Sequence, residues 1–166
     1  MSTTFVKYTI TFILFILLQV FILDGVMLWG MFNPILYMTP IILMPRKTHT
    51  IILMFMALIL GGIVDIFNDT IAINAAATVF LAFIRNSVYG LVDSDINNNT
   101  DNRLASPTGL PLSKYIIFLC VLVFFHHLAL YLLDAFSTEN FLYILLISLL
   151  NTVITVVILM IFKRWL

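Results

Sequence analysis

Residues 61–85 read GGIVDIFNDTIAINAAATVFLAFIR, and two carboxylates and two amides, Asp65, Asn68, Asp69 and Asn74, interrupt an otherwise apolar stretch. Ionisable side chains are expensive inside a bilayer. The stretch therefore reads either as a water boundary between two membrane spans or as polar groups kept inside the bundle for use. Asn68, Asp69 and Thr70 suit a turn, because their side-chain oxygens accept from the unpaired N–H groups that open a helix. Asp65 lies deeper than a cap requires, at helical spacing from Gly61 and Gly62, and is expected to face the bundle interior. If the helix continued, Asp65 and Asp69 would share a face. Gly61, Gly62, Ala72, Ala75, Ala76 and Ala77 allow neighbouring helices to approach closely.

The whole chain supports a membrane reading. It has 166 residues, 63% hydrophobic and 10% charged, with a mean hydropathy of +1.15; a soluble domain carries about 25% charged residues. No polar remainder is long enough for a soluble domain. The first apolar run lacks a small-residue cleavage site and reads as a retained span. Cys120 is the only cysteine, so no internal disulfide is available. Eight basic residues balance eight acidic ones, which gives no footprint for nucleic acid.

A helix needs about 20 apolar residues to cross the hydrocarbon core. The candidates are 8–31, 34–44, 50–66, 70–92, 115–136 and 140–162. The second is short and bounded by Pro34, Pro40 and Pro45, so it is expected to be kinked or to dip only partly into the membrane. With six crossings and a cytoplasmic N-terminus, Lys7, Arg46, Lys47, Arg85, Arg103, Lys114, Lys163 and Arg164 all fall on the cytoplasmic side or at its interface. Asp24, Asp65, Asp69, Asp134 and Glu139 then fall towards the other side. Five crossings would place basic residues on both faces, against the positive-inside bias. The expected fold is thus a single all-α membrane domain of six helices over 1–166, both termini inside, with a flexible cytoplasmic loop at 93–114. The sequon at Asn98 in that loop would be inert there. Trp29 and Tyr37 read as interfacial anchors near the outer boundary.

A second polar group lies in FFHHLALYLLDAF, residues 124–136. His126 and His127 fall near the middle of a span, with Tyr131 and Asp134 on roughly the same half of the helix. A proton relay, a metal site and a polar lock between helices compete with a neutral histidine that merely bonds a neighbour. Adjacent histidines point about 100° apart on a helix, and no metal-ligand spacing or nucleophile motif accompanies them. Paired carboxylates could do acid–base work, and GGIVDIFND looks a little like part of a signal peptidase II motif. The asparagine-containing partner motif of that family is missing, and six spans do not match its four. The chain is read as non-enzymatic, without cofactor or metal.

From residue 50 to 166 the chain resembles the rod shape-determining protein MreD family, in its Bacteroidetes form. The resemblance rests on GGIVDIFNDTIAINAAATVFLAFIR, with its Gly-rich span end, Asp, turn and small-residue helix. It also rests on FHHLALYLLDAF followed by NFLYILLISLLNTVITVVILMIF. The Asn-rich run at 97–102 departs from related sequences. The resemblance implies a non-enzymatic inner-membrane component of the cell-elongation machinery. Its partner would be MreC and, through it, MreB, RodA and a class B penicillin-binding protein; a homodimer is left open. It also implies a fold similar to the substrate-binding S-components of energy-coupling-factor (ECF) vitamin transporters, which supplies the rival reading of a small-molecule-binding subunit. In the partner reading, Asp65, Asn68, Asp69, His126, His127, Tyr131 and Asp134 shape a groove for the partner, with membrane lipid around it.

Overall fold

The computed structural model describes residues 2–23 (side chains from Ile10), 33–93, 106–136 and 140–163. Asp24, Trp29, residues 94–105, Glu139 and Arg164 lie outside the described residues. Among those described, the structure is helical without a strand. Helix α1 (Ser2–Leu18) runs into a π-helical turn, Gln19–Leu23. A single helical turn, α2 (Thr39–Leu43), is followed by α3 (Thr50–Phe67), α4 (Ile73–Val92), α5 (Leu112–Ala135) and α6 (Phe141–Phe162). The last four are long and apolar enough to cross a bilayer, so this is a multi-pass membrane protein.

Consecutive long helices pack side by side, α3 on α4, α4 on α5 and α5 on α6. Phe15 of α1 meets Phe162 of α6 edge-on at 6.0 Å, and Phe21 of the π-turn meets Phe67 of α3 at 6.3 Å. The helices thereby close around residues 34–44. Their outward faces are apolar, as lipid requires: Ile51, Ile52, Phe55, Leu58 and Ile59 on α3, Leu146, Leu149, Val153 and Val157 on α6. The inward face of α6 is the more polar one, carrying Ser148, Asn151, Thr152 and Thr155 at helical spacing, all buried. Lipid tails give no hydrophobic force between helices, so hydrogen bonds and close packing hold such a bundle.

The second apolar segment differs most from expectation. Every residue from Pro34 to Met44 is buried, and only Thr39–Leu43 is helical. It has no lipid face; it is an irregular chain threaded through the bundle. Non-helical backbone at membrane depth survives only where protein satisfies it, and here four elements do so. The Gln19 side chain accepts from Leu36 N–H at 2.8 Å, and the Asn151 side chain accepts from Asn33 N–H at 2.8 Å. Ser106 donates to the Leu43 carbonyl at 3.1 Å. Arg85 donates to the Ile42 carbonyl at 3.1 Å and also to the Met44 carbonyl.

Two expectations are corrected by this arrangement. Arg85 is not an exposed charge at that end of the bundle but is buried within it, 0% exposed, because its fork of donors closes the open end of the segment. The 93–114 loop is not loose throughout: Pro107 and Leu110 are buried, around a short 3-10 turn. At the same end, Lys114 of α5 pairs with Asp93 after α4 at 2.9 Å. Arg46 lies over the Tyr89 ring at 5.0 Å, and Lys163 over the Tyr115 ring at 4.3 Å.

Candidate functional site

Helix α3 ends at Phe67, with Asn68 as its C-cap donating to the Val64 carbonyl at 3.0 Å. The turn then bends sharply, and Asp69 and Ala72 adopt left-handed backbone, φ 52° and 59°. Ala72 is the N-cap of α4 and offers no side-chain bond. The cap comes instead from the preceding helix. Asp65, 5% exposed, accepts from the backbone N–H of Asn74 and Ala75, both at 2.9 Å. It accepts as well from the Thr70 hydroxyl at 2.5 Å and the Asn74 amide at 3.0 Å. A carboxylate at a helix N-terminus meets both orphan donors and the positive end of the helix dipole. The expectation that Asn68, Asp69 and Thr70 cap α4 is thus corrected. Ala72 stands at the cap position, and Asp65 takes the Asn74 and Ala75 N–H groups from the last turn of α3.

The tie needs close packing. A Cβ on Gly61 would stand 2.5 Å from the Ala75 Cα and 2.7 Å from the Asn74 carbonyl oxygen. Only glycine lets α3 lie this near the start of α4.

A chain of donors runs inward from Asp65. The Asn74 amide donates to the carboxylate, and its oxygen accepts from the Tyr37 hydroxyl at 3.0 Å. The Thr78 hydroxyl spends its hydrogen on the Asn74 carbonyl at 2.6 Å. His126 Nε2 lies 3.2 Å from the Tyr37 hydroxyl and 3.5 Å from that of Thr78. His127 Nδ1 donates to the Val123 carbonyl at 2.8 Å, and its ring lies 6.0 Å from that of Tyr131. His126 Nδ1 and His127 Nε2 are buried without a hydrogen-bond partner. Both imidazoles are 0% exposed. Among the described residues, no group of three or more His, Cys, Asp or Glu comes within metal-holding reach.

The structure therefore separates residues that the sequence places in one groove. Asp65 and His126 belong to one buried network. Asn68 and Asp69 are exposed on the turn, and Asp134 is exposed near the end of α5. Asn68, Tyr131 and Asp134 do meet around a cavity of about 260 Å³, whose deeper wall includes Gln19, Tyr37 and Asn74. Tyr37, expected as an interfacial anchor, is 1% exposed at the centre of the network. Gln19, Thr78, Arg85 and the α6 polar stripe went unread as site residues. Their signal was available: a polar side chain recurring at helical spacing within a lipid-embedded segment faces protein. No family model matches this chain, and no curated protein or solved structure matches it.

Proposed function

We propose that this chain is a non-enzymatic membrane component of the bacterial cell-elongation complex, of the MreD type. In this reading it sits in the inner membrane with six passes, counting α1 and the threaded segment 34–44, and both termini are cytoplasmic. It binds the bitopic protein MreC and through it serves MreB, RodA and a class B penicillin-binding protein in peptidoglycan synthesis and cell shape.

The observation that carries the reading is the α3–α4 turn. It is pinned from behind by the Asp65 tie, and it presents Phe67, Asn68, Asp69 and Ile71 outward, with Ile71 93% exposed. A rigid turn with an apolar tip beside an acidic one suits a partner whose matching surface is apolar and basic. The Asp65 carboxylate accepts four hydrogen bonds within the protein, which favours a structural role over acid–base chemistry.

The test is a mild-detergent pull-down of the tagged protein from native membranes, with bound proteins identified by mass spectrometry. MreC is expected with the wild type, and Asp69→Lys combined with Ile71→Asp should reduce its recovery by about tenfold. Absence of MreC from the wild-type sample would sink the proposal. The 260 Å³ cavity favours a second reading, the small-molecule-binding S-subunit of an ECF transporter, although it lies just below the usual ligand-pocket range of about 300–1,000 Å³. Recovery of a transporter coupling subunit with ATPases would select it.

A further inference from the structure

The hairpin end where α5 stops and α6 starts holds a second cavity, of about 410 Å³, lined by Tyr131, Asp134, Ala135, Asn140, Tyr143, Ile144 and Ile147. Among the described residues, no hydrogen bond or ion pair engages the Asp134 carboxylate or the hydroxyls of Tyr131 and Tyr143. Asp134 also stands where a carboxylate is least welcome. It occupies the last turn of a 24-residue helix, beside the negative end of the dipole, and no basic residue shares that turn. Such a placement lowers stability unless a cation answers it. Helix α5 then closes on Phe136 in left-handed backbone, φ 45°, a conformation that a bulky residue adopts only under constraint.

From these observations we infer that the α5–α6 cleft binds the ammonium headgroup of phosphatidylethanolamine. A carboxylate and two phenol oxygens offer three acceptors, one for each N–H of a primary ammonium, whereas a quaternary ammonium has no N–H to donate to them. The surroundings favour lipid over a lysine from a protein. The cleft lies at the ends of two membrane-spanning helices, where headgroups reside and tyrosines are enriched. Exposed Leu133, Leu142 and Leu146 adjoin the lining residues, and Leu142 is 80% exposed. These supply an apolar track for acyl chains beside the charged end. Neither Asp69 nor Ile71 of the α3–α4 turn lines the cleft.

The test uses the full chain, purified and stripped of lipid in non-ionic detergent, with binding read by native mass spectrometry and by thermal unfolding. The probes are dioleoyl phosphatidylethanolamine, the same lipid N-acetylated to remove its charge, and dioleoyl phosphatidylglycerol. The free amine is expected to bind about tenfold more tightly than its N-acetyl form, as a charge-assisted hydrogen bond would give. Asp134→Asn should abolish that preference, and Tyr143→Phe should reduce it. Equal binding of the two ethanolamine lipids to the wild type would overturn the assignment, as would an Asp134→Asn protein that keeps the preference. If Asp134→Asn fails to fold, the wild-type lipid comparison and the exposed Tyr143→Phe variant still decide the question. A wild type indifferent to headgroup that cross-links a lysine-bearing peptide in the cleft would give the site to a protein partner and also overturn it.

Discussion

Asp65 shows how one side chain can hold two spans together. Its Oδ1 and Oδ2 take the N–H groups that α4 cannot satisfy for itself, and Ala72 at the cap position supplies no substitute. Alanine at position 65 would strand those two buried donors away from water, so Asp65→Ala should destabilise the protein by about 2–4 kcal/mol. Asp65→Asn keeps one carbonyl acceptor and should lose about half as much. Thermal unfolding in detergent micelles gives the ordering, and an Asn variant as damaged as the Ala variant would refute the capping role. Asp65 was legible as an inward-facing residue because it lies too deep for a turn. Its partner was not, since nothing in the spacing shows that the turn would bend back and bring Asn74 and Ala75 over the carboxylate.

At the scale of elements, α3 was legible to within a residue, whereas α4 begins at Ile73, three residues after the expected start at 70, because the polar turn extends through Ala72. The separation of the two helices was not legible. Gly61 and Gly62 are adjacent and look equivalent in sequence, yet only Gly61 touches the neighbouring backbone, while a Cβ at Gly62 would meet nothing within 4 Å. Gly61→Ala should therefore cost about 1–3 kcal/mol through forced separation of the helices. Gly62→Ala should be neutral or stabilising by about 1 kcal/mol, the usual gain from filling a helical glycine. Melting curves of the two variants side by side check this, and equal behaviour would contradict the close approach. The threaded segment teaches the complementary lesson. Its three prolines signalled a broken helix, but its burial depends on Gln19, Arg85, Ser106 and Asn151, which are distant in sequence and act only once the bundle has formed.

Across the whole molecule, the described basic residues Arg46, Lys47, Arg85, Lys114 and Lys163 gather at the end opposite the Asp65 tie. Arg85 is eleven positions beyond Asn74 on α4, about 16 Å along its axis. If the positive-inside bias sets orientation, a green fluorescent protein fused to the C-terminus should fluoresce, and alkaline phosphatase fused there should be inactive; the reverse pattern would invert the topology. Composition and hydropathy by themselves determined that this is a multi-pass helical membrane protein and where its long spans lie, because each span must satisfy its own backbone within lipid. Only the tertiary structure decided what the polar residues do. Whether Asp65, Tyr37, Arg85 and His126 are anchors, charges or catalysts depends on which distant donors and acceptors reach them, and that is set by helix packing rather than by any local pattern.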